Sequence, residues 1–256
     1  EVVRAHARVV DVCDGDDAGL FGGERVSKDG LGVAAVAVEE LIVKREGDAF
    51  GRPVELGVAV RATSRDPAAA AKATPGAEWV AADVTDAGSL EAAMRGIDVA
   101  ISAVATASPL GRNKPERVDY LGNVNFARAA RAAGVKRIVA ITSSVSGREG
   151  GLFNLLLNNV LVWKGKGERA LIDSGLEYVI VGPAGMNDEP GGVKRIVLQP
   201  RADYVRGSSV TRDDTASVCI AAAALPEAAN RVFSVSNQAA PADDAWRAAF
   251  AQMPRD

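Results

Sequence analysis

Three neighbouring segments decide the fold: Asp98-Val-Ala-Ile-Ser-Ala-Val-Ala105, Glu116-Arg-Val-Asp-Tyr-Leu-Gly-Asn-Val-Asn-Phe-Ala-Arg-Ala-Ala-Arg-Ala-Ala133 and Arg137-Ile-Val-Ala-Ile-Thr-Ser143. The first and third are short apolar runs of the kind that a strand buried on both faces needs. The middle segment has a helical pattern, and Gly134 is placed to end it in a left-handed turn. A strand, a helix and a second strand at this spacing imply parallel pairing through a right-handed crossover.

The same alternation continues outward. Upstream, the pattern predicts strands over 8–13, 54–61 and 78–82. It predicts a helix over 33–46, with apolar residues at 33, 36, 37, 41 and 43, and a short helix over 89–95 with Ser89 as N-cap. Downstream it predicts helix over most of 152–174, strand over 177–181, then helix, strand and helix over 213–225, 231–236 and 243–252. The fold class expected is α/β, a doubly wound parallel sheet with helices on both faces and a small C-terminal α/β extension. One Rossmann-like domain is expected over 1–256, with 1–53 divergent and about 184–256 forming the smaller part. In such a fold the ligand crevice lies outside the C-terminal strand ends, so the residues just after Cys13, Arg61, Ala82, Ala105 and Ser143 should ring it.

Composition removes several chemistries. The 256 residues carry a net charge of -3, one histidine (His6) and two cysteines (Cys13 and Cys219). One histidine cannot build a multi-histidine metal site, and two cysteines cannot build a zinc cage or a disulfide framework, so no metal is expected. The mildly acidic balance offers no basic footprint for nucleic acid. No apolar run approaches the roughly 18 residues that span a bilayer, so no transmembrane segment is expected and membrane association would need a partner. Cysteines kept reduced fit an intracellular, cytoplasmic protein, and the non-Met start fits a removed targeting peptide.

From about residue 54 the sequence resembles the atypical short-chain dehydrogenase/reductase proteins of the NmrA-like, NAD(P)-binding type, in particular the small plant and algal members. The carrying segments are Glu116-Arg-Val-Asp-Tyr-Leu-Gly-Asn-Val-Asn125, Ala133-Gly-Val-Lys-Arg-Ile-Val139, Val160-Leu-Val-Trp-Lys164 and Glu168-Arg-Ala-Leu-Ile-Asp-Ser-Gly-Leu-Glu-Tyr178. Ser64-Arg-Asp-Pro67 and Ala82-Asp-Val-Thr-Asp86 add to them. The resemblance implies an NAD(P) cofactor and, with the non-Met start, a plastid stroma as the alternative to the cytoplasm. It also implies that Lys164 holds the nicotinamide ribose, that Ser143 polarises a carbonyl or touches the ribose, that Asp83 and Val84 meet the adenine, and that Ala103 to Ala105 line the cofactor.

The glycine loop departs from this pattern. A dinucleotide needs glycines between the first strand and helix so that the backbone can approach the pyrophosphate. Gly15, Gly19 and Gly22 follow a good strand, yet the helical pattern starts only near Val33. Asp14, Asp16 and Asp17 lie in the same loop, and each carboxylate held about 4 Å from a phosphate costs about 4 kcal/mol at an effective dielectric of 20. The loop is either a rearranged phosphate cradle or an insertion that has lost the site. Arg61 and Arg65, after the second strand, suit a 2′-phosphate, so NADP is expected if any cofactor binds.

The catalytic centre is also incomplete. The superfamily places a proton-donating tyrosine four residues before the lysine, and here that position is Val160. Tyr204 is a candidate replacement, Tyr178 reads as core, and Tyr120 opens a helix. The family's Arg-Pro-Gly-Gly after the sixth strand is Gly182-Pro-Ala-Gly185. These losses favour a non-catalytic accessory, assembly or structural subunit, a pseudoenzyme with protein partners in a larger complex. The segments 14–32 and 47–53 would be its contact surfaces. An NAD(P)H-dependent reductase and an NADP-sensing regulator are the alternatives.

Overall fold

The structure, a computed structural model, describes residues 35–38, 60–68, 71, 78–106 and 109–255. Strands β1 (Ala35–Val38), β2 (Val60–Ser64), β3 (Glu78–Ala81), β4 (Val99–Ser102), β5 (Arg137–Ile141), β6 (Glu177–Pro183), β10 (Arg231–Pro241) and β8 (Lys194–Gln199) form one sheet in the order 3-2-1-4-5-6-10-8. This is the doubly wound α/β order, with the reversal between β1 and β4.

Alternation along the central strands explains the two-faced core. Ile138 and Ala140 of β5 and Tyr178 and Ile180 of β6 bury against α1 (Ala87–Ala93), α2 (Asn123–Ala133) and α4 (Val160–Ile172), with Leu90, Phe126 and Leu171 filling the layer. Val139, Val179 and Val181 point the other way, onto Val218 and Cys219 of α5 (Arg212–Ala224) and onto Trp246 of α6 (Trp246–Ala249) and Phe250. A strand buried on both sides is apolar on both faces, and this is why the runs 99–101 and 138–141 stand out in the sequence.

The sheet is mixed rather than all parallel. Pairs β2–β3, β4–β5, β5–β6 and β6–β10 are parallel, whereas β8 runs antiparallel to β10 and β1 antiparallel to both its neighbours. The expected helix over 33–46 is therefore corrected over its first turn: Ala35-Val-Ala-Val38 is a central strand. A short apolar run of β-branched and small residues fits either element, and pairing on both edges decides for strand. Because Ala35 pairs with Ser102 at the end of β4, the chain enters β1 at the crevice edge instead of leaving there. The strand expected over 8–13 lies outside the described residues.

Other boundaries moved for local reasons. The second strand runs over 60–64, three residues past its expected end. The short helix begins at Ala87, because Asp86 and not Ser89 caps it, accepting from the Gly88 and Ser89 amides at 3.0 and 3.5 Å. The helix over 116–133 opens with a π-helical segment, Glu116–Gly122, and ends at Gly134 with φ 78°, as its sequence predicts. The helix expected over 152–174 is split into α3 (Leu152–Leu156) and α4 by Asn158 and Asn159, both left-handed. Beyond β6 the small strands β7 (Gly185–Asn187) and β9 (Ser209–Thr211) pair in parallel and, with β8, build the C-terminal lobe.

Candidate functional site

Lys164 sits on the second turn of α4, a helix whose first turn receives its cap from elsewhere. Asn159 gives no side-chain cap. Instead the buried Asn154 side chain accepts from the Leu161 amide at 3.0 Å. Two glycines flank the lysine's turn, and both are required by close approach. A Cβ on Gly165 would stand 2.5 Å from Gly147 Cα, and one on Gly167 would stand 2.1 Å from the Asp119 carbonyl oxygen. The loop after β5 and the π-helical segment thus both press onto α4. Gly147 donates its amide to the Leu161 carbonyl at 2.7 Å.

This packing gives Lys164 a partner that the sequence did not reveal. Its Nζ donates to Asp119 Oδ1 at 2.7 Å, with the lysine side chain 15% exposed and the aspartate side chain fully buried. Asp119 Oδ2, also buried, has no hydrogen-bond partner among the described residues. The signal that could have found Asp119 is an acid on a helix otherwise read as core-facing, paired with a lysine that needs a counter-charge when buried.

A second ion pair lies one turn further along the helix. Glu168, 7% exposed, receives both ends of the Arg201 guanidinium: Nη1 to Oε2 at 2.5 Å and Nη2 to Oε1 at 2.8 Å. Arg201 Nη2 also donates to Thr142 Oγ1 at 3.1 Å. No periodicity ties residue 201 to residue 168, so this pair was illegible before the chain was folded.

Ser143 lies just past β5, where its Oγ accepts from the Val145 amide at 3.3 Å, the strand-end bond expected of such a hydroxyl. The hydroxyl keeps its proton for one further acceptor. Ala103, half-buried, follows the end of β4 at the same edge. Asp83 follows β3, and its carboxylate is turned inward, accepting from the Thr85 amide and hydroxyl at 2.8 and 2.7 Å. Val84 is buried in the core, with its carbonyl taken by Asn125 Nδ2 at 2.9 Å.

The two arginines separate. Arg65 follows β2 at the crevice edge and is exposed. Arg61 is corrected: it lies inside β2, opposite Glu78 at the start of β3, and so at the far edge from the crevice. Its Nε donates to Glu78 at 2.9 Å and its Nη1 to the Ala93 and Arg95 carbonyls that end α1. That makes it a cation on the carbonyls that end α1 instead of one at the crevice edge. Gly15, Gly19 and Gly22 lie outside the described residues.

The tyrosines divide as well. Tyr178 is core, as expected. Tyr204 is half-buried against the second core layer. Tyr120 stacks on Trp163, centroids 6.0 Å apart, with the Lys166 ammonium 4.3 Å from the Trp163 ring. Val160 is buried, which leaves an apolar surface at the position four before Lys164. At Gly182 a Cβ would lie 3.0 Å from the Ser143 carbonyl carbon and oxygen, so the missing arginine has no room there without moving β5's exit.

Among the described residues no cluster of His, Cys, Asp and Glu could hold a metal, and no helix is long and apolar enough to cross a membrane. A dinucleotide fits the donor set at its ends. Arg65 is a cation just past the end of β2, Ala103 a small residue just past the end of β4, and Lys164 and Ser143 are the cation and hydroxyl that the resemblance assigns to a ribose. The buried Asp119 Oδ2 has an acceptor site left unfilled among the described residues.

Residues 53–226 match the NAD(P)H-binding family. The chain belongs to this family. It is 32% identical over 176 residues to an uncharacterized chloroplastic protein of Arabidopsis thaliana, a match that takes in 61% of this chain and 54% of that one, about half of the relative's length. It is 28% identical over 235 residues to sanguinarine reductase of Eschscholzia californica, covering 76% of this chain and 86% of that enzyme. Among solved structures, the anaerobilin reductase ChuY of Escherichia coli O157:H7 superposes with a TM-score of 0.59 at 23% identity, over 73% of this chain and 89% of that one. That likeness speaks to the fold alone. The fold is therefore an NAD(P)-binding, reductase-like one, as the resemblance implied.

Proposed function

We propose that the protein is an NAD(P)H-dependent reductase that works with NADPH. The observation that carries this reading is the Lys164–Asp119 pair. A buried ion pair is a poor device for stability, since an apolar pair of similar volume would serve as well or better. Here a helix glycine, Gly167, is spent to let the segment carrying the carboxylate press against the helix carrying the ammonium. In the relative named for sanguinarine reduction, the reaction class is the same. The bound nicotinamide supplies the hydride. Lys164 holds the ribose and places a positive charge beside it, and Ser143 hydrogen-bonds the acceptor atom of the substrate. With Val160 in place of a tyrosine, the proton reaches that atom from water.

A fluorescence titration with NADPH and with NADH tests this. Saturable binding is expected, and Arg65→Ala should weaken NADPH by about tenfold while leaving NADH nearly unchanged, the signature of one lost phosphate contact. No saturable binding at millimolar NADPH would sink the proposal.

A second reading keeps specific support from Val160 and Gly182. The chain would then be a non-catalytic accessory or assembly subunit with protein partners, or an NADP-responsive regulator. NADPH binding without oxidation of the cofactor by a panel of carbonyl, quinone and iminium compounds would favour it. The chloroplastic relative supports a plastid stroma as the site of action under either reading.

A further inference from the structure

We propose that Arg201 is a positioning residue for the candidate centre, a single guanidinium by which the C-terminal lobe aligns the helix carrying Lys164 with the strand end carrying Ser143. The inference rests on the reading that Lys164 and Ser143 face the nicotinamide end of the cofactor.

Two contacts define the device. Arg201 binds both oxygens of Glu168, which is one helical turn after Lys164 and so on the same face of α4. The same guanidinium reaches Thr142 Oγ1, on the residue immediately before Ser143. Lys164 lies on α4 and Ser143 just past β5, and Arg201 is bonded to a neighbour of each. Only the planar fork can do this: three acceptor atoms lie in reach of two nitrogens, where an ammonium would satisfy fewer at the same geometry.

The turn that presents the arginine is itself fixed. Pro200 precedes the single 3₁₀ turn Arg201–Asp203, and Gln199 Nε2 closes it onto the Asp203 carbonyl at 3.1 Å. β8, which leads into the turn, is bonded along its length to β10. A side chain at 182, at the end of β6, would crowd the backbone, its Cβ 3.0 Å from the Ser143 carbonyl carbon and oxygen and 3.1 Å from the Phe233 carbonyl oxygen. The lobe therefore supplies from a distance a cation that the adjacent strand, with glycine at 182, does not carry.

The test is a double-mutant cycle read by NADPH fluorescence, with thermal unfolding recorded beside it. Arg201→Met is expected to raise the NADPH Kd by about tenfold, and Arg201→Lys by less, as a partly kept contact predicts. In a Lys164→Met background, Arg201→Met should add less than about twofold, because its effect passes through the lysine. Thr142→Val, which removes one hydroxyl and leaves the pair with Glu168, should raise Kd by about threefold and serves if Arg201→Met does not fold. A folded Arg201→Met protein with Kd within about twofold of wild type, or an effect that simply adds to that of Lys164→Met, overturns the proposal. A wild-type protein that binds no NADPH overturns the underlying reading, and that result is visible before any variant is compared.

Discussion

Lys164→Met gives the sharpest test of how the centre is held together. Methionine keeps most of the lysine's aliphatic stem but removes the ammonium 2.7 Å from Asp119 Oδ1. The aspartate stays fully buried, and its second oxygen already has no partner among the described residues. Breaking a buried pair in this way costs about 3–5 kcal/mol, because a charge is left without compensation. Allowing about 1 kcal/mol for the apolar surface gained, the net loss is about 3 kcal/mol. For a chain of this size that lowers Tm by about 6–12 °C. Asp119→Asn in the same background removes the stranded charge and should recover more than half of the loss. Urea denaturation with an unchanged slope and a shifted midpoint is the assay. A single variant that loses under about 1 kcal/mol, or a double variant no better than the single, would refute the view that Asp119 is a charged, desolvated partner of Lys164.

Arg137→Met should cost about 2–3 kcal/mol, because the buried guanidinium donates through Nη1 to the Ala222, Ala223 and Leu225 carbonyls at the end of α5; denaturant midpoints check it. Gly167→Ala should destabilise by about 3 kcal/mol or prevent folding, since the new Cβ meets a backbone oxygen at 2.1 Å. Helix propensity alone predicts the opposite sign, a gain of about 1 kcal/mol, so circular dichroism melts decide between them. Cys219 is fully desolvated, which pushes its thiol up from 9.0 to about 12. In a Cys13→Ser background it should resist aromatic disulfide reagents at pH 8 until the protein unfolds. A raised native value also means that this thiol's contribution is whole below pH 9 and fades as pH climbs towards about 12, visible as a falling Tm over that window.

Central strands, helix ends and fold class were legible because each is a local signal. After their first residues, Arg137 and Glu177, β5 and β6 run apolar through Ile141 and Val181, and Gly134 marks the end of α2 by itself. Three features were not legible, for different reasons. A four-residue apolar run carries no decisive period, so the sequence at Ala35–Val38 predicts helix where the chain forms a strand. Arg61 was placed at the crevice because its strand was read to end there, and a shift of three residues sends it to the opposite edge of the sheet. Asp119, Glu168 and Arg201 depend on contacts across 45, 33 and 59 residues, which no spacing rule records. Lys164 and Ser143 could be named from the resemblance; what surrounds them could not.

The glycines of α4 have a consequence for how the molecule folds. Each interior glycine weakens an isolated helix by about 1 kcal/mol relative to alanine, and α4 holds two within three positions. A thirteen-residue helix so weakened has little residual structure of its own. It condenses when the π-helical segment and the loop after β5 are already there to receive it, and conservative substitutions along it should change unfolding rates more than folding rates. The segment that bears the lysine would then be among the last to order and the first to open to hydrogen exchange.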